Sequence, residues 1–106
     1  MPKGIMVVQS RPSDPAREDE YNAWYSGTHL ADVCAVPGFV RARRYKVRDA
    51  ANPSGHAYLA VYEIESDDLD ATVAELSVRA GDGRLPMSDA LQLDPPPTVA
   101  VYELLD

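Results

Sequence analysis

Cysteine is nearly absent from this 106-residue sequence, where Cys34 stands alone. A lone thiol cannot close an internal disulfide, and the two histidines, His29 and His56, have no carboxylate cluster between them that would compose a metal site. A reducing compartment and no metal are the expectations. Long apolar runs are missing too. The first apolar stretch, around Ile5 to Val8, is far too short for a signal peptide or a membrane span, and no later window reaches the needed length. A cytoplasmic chain without a membrane partner follows. Bases are in deficit, 10 Lys and Arg against 17 Asp and Glu, for a formal net charge of −7. Such a field repels phosphate backbones, which argues against a nucleic-acid partner. No glycine-rich phosphate loop precedes a helix, so an enzyme built on this chain is expected to need no bound cofactor.

What is present is ordinary globular composition, 45% hydrophobic and 25% charged residues. Residues 1–106 suit one domain, and a domain of this size buries only roughly 60 to 70% of its unfolded surface. That leaves little room for a deep pocket inside one copy.

In chain order, Gly4 to Gln9 is a β-branched apolar run ended by turn formers, hence a first strand. Asp14 is a candidate N-cap with Pro15 at the first helical position, and Glu18, Asp19 and Glu20 place negative charge at the positive end of a helix dipole. The helix should run to Ala35 or Val36, with Gly27 as a weak point or bend. At about 100° per residue, Trp24, Ala31 and Ala35 fall together and Val33 nearly opposite, so apolar residues occur most of the way round. Pro37 and Gly38 stop the helix.

Phe39 to Arg48 reads as a second strand, with Phe39, Arg41, Arg43, Tyr45 and Val47 on one face and Val40, Ala42, Arg44, Lys46 and Arg48 on the other. After a turn over 49–55, His56 to Glu65 is a third strand whose two faces both look buried, and the short link makes an antiparallel hairpin the simple connection. Ser66-Asp-Asp caps a second helix in which Leu69, Val73, Leu76 and Ala80 form an apolar stripe ended by Gly81. Residues 82–97 have no periodicity beyond a short helical turn near Ser88 to Leu91, and a loop this long is a candidate lid. Thr98 to Leu105 is the last strand.

Strand, helix, strand, strand, helix, strand is the order of an α+β ferredoxin-like fold: a four-stranded antiparallel sheet with both helices on one face. The other face then carries too many Tyr, Val, Leu and Ile side chains for water. A homodimer packed sheet to sheet, forming a dimeric α/β barrel with the helices outside and a chamber for a ligand, would cover it.

Glu20-Tyr-Asn-Ala-Trp-Tyr-Ser-Gly-Thr-His-Leu, then Val36-Pro-Gly-Phe-Val and Ala42-Arg-Arg-Tyr, resembles the dimeric α/β-barrel superfamily, nearest to its EthD-like group. The resemblance covers residues 4 to 65 by motif and the remainder by element order. It implies a small dimeric barrel, and in that family the histidine of the His-Leu motif, here His29, lines the cleft. Members include polyketide cyclases, cofactor-independent monooxygenases, muconolactone isomerases, haem-degrading enzymes and proteins with no known reaction, so fold does not fix function. The haem-degrading members place their asparagine, tryptophan and histidine on different elements. Here Asn22, Trp24 and His29 share one helix, and those roles do not carry over.

For chemistry, His29 titrates near neutrality and Asp32, three residues on, is placed to orient it. The competing structural reading is a histidine that bonds to backbone. Tyr45, Tyr58 and Tyr62 lie on central strands, where a phenol can hydrogen-bond a carbonyl or enolate oxygen or simply fill core. Trp24 and Tyr25 can contact a ligand or pack. Arg41, Arg43 and Arg44 can hold a carboxylate or serve as solvated edge charges. His56 follows a turn and is expected to be exposed, and Cys34 is expected to be buried and inert. The expected site therefore has His29, Asp32 and Tyr45 as catalytic residues, and Trp24, Tyr25, Arg43, Tyr58 and Tyr62 around a small hydrophobic, aromatic or polyketide-like molecule. Proton abstraction beside a carbonyl would begin a cyclisation, an isomerisation or a cofactor-free oxygenation. The alternative is a non-catalytic dimeric barrel that carries a hydrophobic ligand.

Overall fold

The computed structural model describes residues 3–48 and 55–105. Strands β1 (Lys3–Ser10), β2 (Phe39–Lys46), β3 (Tyr58–Glu65) and β4 (Thr98–Glu103) form one sheet in the order β2-β3-β1-β4. All three pairings are antiparallel. Helices cover one face of the sheet, the ferredoxin-like arrangement. The connection between β2 and β3 lies mostly outside the described residues. No helix among the described residues is long and apolar enough to cross a membrane.

Asp14 caps the first helical segment as its sequence implies, accepting the Ala16 amide at 2.8 Å, with Pro15 first in the turn. The segment is not one helix. A single 3₁₀ turn, Pro15–Arg17, leads into α1 (Glu18–Trp24), a π-helical turn (Tyr25–His29), and α2 (Leu30–Cys34). The Leu30 amide reaches back five residues to the Tyr25 carbonyl, which defines the widened turn. Its consequence is positional. Tyr21, Tyr25, His29 and Val33 recur every fourth residue, and in a regular α-helix of about 3.6 residues per turn that spacing drifts roughly 40° per step. The widened turn takes up the drift, so all four stay buried against the sheet.

A second irregularity resets β2. The register shifts between Phe39 and Arg41, so Val40 bulges outward and Phe39 pairs with Ile64 while Ala42 pairs with Tyr62. Phe39 is thus on the helix side with Ala42 and Arg44, while Arg41, Arg43 and Tyr45 take the other face. The expected grouping of Phe39 with Arg41, Arg43 and Tyr45 fails for this reason. Gly38 makes the approach to β2 possible: its φ is +103°, and a Cβ there would lie 2.8 Å from Thr72 Cγ2.

α3 (Leu69–Gly81) starts at Asp68, whose carboxylate accepts the Ala71 amide at 3.1 Å. Leu69, Val73 and Leu76 pack on the core. The segment 82–97 is anchored rather than loose: Leu85, Ala90 and Leu91 are buried, Gln92 donates to the Arg11 carbonyl and Ser13 to that of Ala90. The helical turn expected near Ser88 is a single hydrogen-bonded turn, Leu91 N–H to Ser88 O at 3.2 Å.

The open sheet face carries Ile5, Val7, Leu59, Val61, Ala100 and Tyr102, with Tyr45 and the Arg41–Glu63 ion pair toward β2. Tyr45 is 49% exposed and Tyr102 57%. Within one chain nothing covers this face among the described residues.

Candidate active site under the helices

A cavity of about 260 Å³ lies between the helices and the sheet. Its walls are aliphatic: Met6 and Val8 from β1, Val33 from α2, Val73, Leu76 and Ala80 from α3, Leu85, Met87 and Leu91 from the following segment, and Val99 from β4. One part is polar, where Ser10, Tyr25, His29 and Tyr62 meet. A larger groove of about 500 Å³ runs beside Ile5, Arg41, Glu63 and Tyr102. It is a surface trough crossed by the Arg41–Glu63 ion pair and brings together neither histidine nor a buried phenol, so the smaller cavity is the candidate site.

The π-helical turn delivers His29 to this wall. The imidazole is 8% exposed, stacks on Trp24 with ring centroids 4.6 Å apart, and meets the edge of Tyr25 at 4.9 Å. Burial pulls its pKa down to about 4, Asp32 works against that shift, and Arg44 adds to it. At neutral pH the ring is uncharged, with one nitrogen able to take a proton. Its Nδ1 is buried with no hydrogen-bond partner among the described residues, and the same holds for Asp32 Oδ2. Asp32 therefore acts on His29 through its charge, without the orienting hydrogen bond expected of it.

Tyr62 donates to the Tyr25 hydroxyl at 3.1 Å. Burial pushes Tyr25 up to about 12 and raises Tyr62 as well, so both phenols remain proton donors. Ser10 Oγ and the Tyr21 hydroxyl share a hydrogen bond of 2.5 Å. Behind these rings lies Arg44, its guanidinium carbon 4.5 Å from the Tyr25 ring centroid and 5.3 Å from that of Tyr21.

Of the residues singled out from sequence, the structure brings together His29, Tyr25 and Tyr62, with Trp24 stacked behind the imidazole and Asp32 nearby. It separates the others. Tyr45 and Arg43 lie across the sheet on the open face, because the bulge at Val40 sets the alternation of β2. Tyr58 is turned to the far end, accepting from Asn22 at 3.2 Å and donating to Glu18 at 2.8 Å. The cavity also lies on the helix side within one chain, not in a chamber between two sheets. His56 is buried, at 6% exposed, contrary to its expected exposure. Sequence reading passed over Ser10, Tyr21 and the walls from residues 85–91. Ser10 carried no signal beyond its place at the end of an apolar strand, and Arg44 could not be told from Arg41 and Arg43, all three open as carboxylate holders or edge charges, because the bulge was not visible.

A family model described as a domain of unknown function, DUF4286, matches residues 13–75, more than half of the chain. The chain belongs to the DUF4286 family. No curated protein matches it. Among solved structures, it is similar to a presumed monooxygenase from Shewanella loihica PV-4, with TM-score 0.61 and 17% identity over 100% of this chain and 98% of that one. An EthD family protein from Bacillus halodurans C-125 gives TM-score 0.60 and 16% identity, with 99% and 100% covered. A protein described as dimeric ferredoxin-like, from an uncultured marine organism, gives 0.56 and 14%, with 100% and 98% covered. Identities this low make these likenesses of fold, and the fold of this DUF4286 member is that of dimeric ferredoxin-like and EthD-like proteins.

Proposed function

We propose that this DUF4286 protein is a small enzyme that abstracts a proton beside a carbonyl of a compact, largely apolar molecule held under its helices. The observation that carries this reading is a neutral, buried imidazole next to two hydrogen-bonded, protonated phenols, in a cavity that is otherwise aliphatic. An uncharged His29 can act as base, and Tyr25, which accepts from Tyr62 and keeps its own proton, can donate to the oxygen on which charge develops. The aliphatic lining beside His29 lowers the local polarity and strengthens both effects. The volume of about 260 Å³ falls just below the usual range for ligand sites, about 300 to 1,000 Å³, which favours a one- or two-ring molecule. Cyclisation, isomerisation and cofactor-free oxygenation share this first step, and the likeness in fold to a presumed monooxygenase supports the last of them. The uncovered apolar sheet face supports a homodimer, and one solved structure of similar fold is described as dimeric.

The test is α-proton exchange in heavy water with 2-indanone, a compact aromatic ketone, followed by mass spectrometry. The protein should accelerate exchange, and His29→Asn should remove roughly 100-fold or more of that acceleration. Undiminished exchange in the variant would dismiss His29 as base. A second reading, a carrier of apolar ligands, is favoured by the absent hydrogen bond between Asp32 and His29. It predicts that 2-indanone binds and exchanges no faster than in buffer.

A further inference from the structure

Arg44 is the one guanidinium placed on the helix side of β2, paired across the ladder with Ala60. It donates to Asn22 Oδ1 at 2.9 Å and to Ser26 Oγ at 2.8 Å, both neutral acceptors. Its carbon faces the rings of Tyr21, Tyr25 and Tyr58 at 5.3, 4.5 and 5.2 Å. Among the described residues no carboxylate pairs with it, whereas Arg17, Arg41, Arg79 and Arg84 all have acidic partners. Glu18, which accepts from the Tyr58 hydroxyl, is also paired with Lys46 at 3.6 Å. Asp32 exerts the opposing negative charge, and does so on His29. At His29 the charge of Asp32 outweighs that of Arg44, whereas at the Tyr25 and Tyr62 hydroxyls Arg44 acts with no carboxylate against it. Aromatic rings do not cancel a cation's field as a carboxylate does.

We propose that Arg44 is a positioning residue which, without touching the ligand, makes the Tyr25 hydroxyl, backed by the bond it accepts from Tyr62, prefer an anionic oxygen. The molecules taken by the cavity are then phenolates and enolates, or compounds that readily become them, in preference to simple neutral ketones. This rests on the cavity being a ligand site. The tyrosines already feel the charge: burial raises the proton affinity of Tyr21, Tyr25 and Tyr62, and Arg44 opposes the rise in each. At an effective dielectric constant of about 20, a full charge about 10 Å away moves a titration by roughly one unit.

Para-nitrophenol, whose ionised form alone absorbs visible light, supplies the test. Bound to the wild-type protein, its titration should shift to lower pH by roughly one unit, a tenfold preference for the phenolate. Asn22→Asp places a carboxylate where Arg44 already donates and should abolish the shift while leaving the arginine clamp intact. Arg44→Lys should keep part of it. Were Arg44 only a structural clamp, Asn22→Asp would strengthen the clamp and leave the bound titration unchanged, which would overturn the proposal. If para-nitrophenol binds with an unshifted titration in the wild type, the role of Arg44 falls while the cavity reading stands. If neither ionic form binds, both fall.

Discussion

Trp24 lies against the imidazole of His29 at 4.6 Å with the two planes 28° apart, so the indole keeps water from one side of the ring. Removing it should undo part of the burial that depresses the imidazole. We expect Trp24→Ala to move the His29 pKa upward from about 4 toward the unperturbed 6.5, read from the pH dependence of the ring-proton resonances. A value that stays near 4 would mean that the fold, and not the tryptophan, desolvates His29.

The same depression links pH to stability. In the unfolded chain His29 binds a proton below about pH 6.5, and in the folded protein only below about 4. Between those values the unfolded state holds more protons, so stability falls as pH drops through this window and levels off beneath it. The loss contributed by His29 should be on the order of 3 kcal/mol. His29→Gln should flatten that part of the curve in denaturant titrations run across the window.

Gly27 occupies the widened turn without needing to be glycine. A Cβ there would meet nothing within 4 Å, and its φ is not in the left-handed region. Gly27→Ala should therefore stabilise the protein by roughly 0.5 to 1 kcal/mol, through lower entropy of the unfolded chain. Urea unfolding at neutral pH measures this. A loss of stability would show that the turn depends on backbone freedom at that position.

Val61 stands on the open sheet face opposite Val7 and Arg43. If a second copy covers this face, Val61→Glu should convert dimers to monomers in sedimentation velocity while the circular dichroism spectrum is retained. A wild-type protein that sediments as a monomer at micromolar concentration would dispose of the covering copy.

The strands, both helix caps and the order of elements were legible because they are local: Asp14 with Pro15, Asp68 ahead of Leu69, and alternating Tyr58, Ala60, Tyr62 and Ile64 each state their own structure. His29, Tyr25 and Tyr62 were legible as candidates because a helix facing a sheet must bring some of its aromatics to the strands. The bulge at Val40 was not legible, and of the widened turn only the break expected at Gly27 was, not its geometry. A five-residue hydrogen bond from Leu30 to Tyr25 and a bulge at Val40 each add one residue without any distinctive side chain. Each is chosen by what packs elsewhere, and each decided a functional assignment: the first seats His29 against the sheet, and the second sends Tyr45 and Arg43 away while bringing Arg44 in.

The wide turn at Tyr25–His29 means that the chemistry of this cavity is encoded in the count of residues as well as in their identities. A relative shorter by one position there would close an ordinary helical turn, with the histidine three residues after the tyrosine and on the same face of the helix. Chain length across this single turn therefore sets the angle at which the imidazole meets the Tyr25 ring, and one residue gained or lost there would retune the wall without changing any side chain on it.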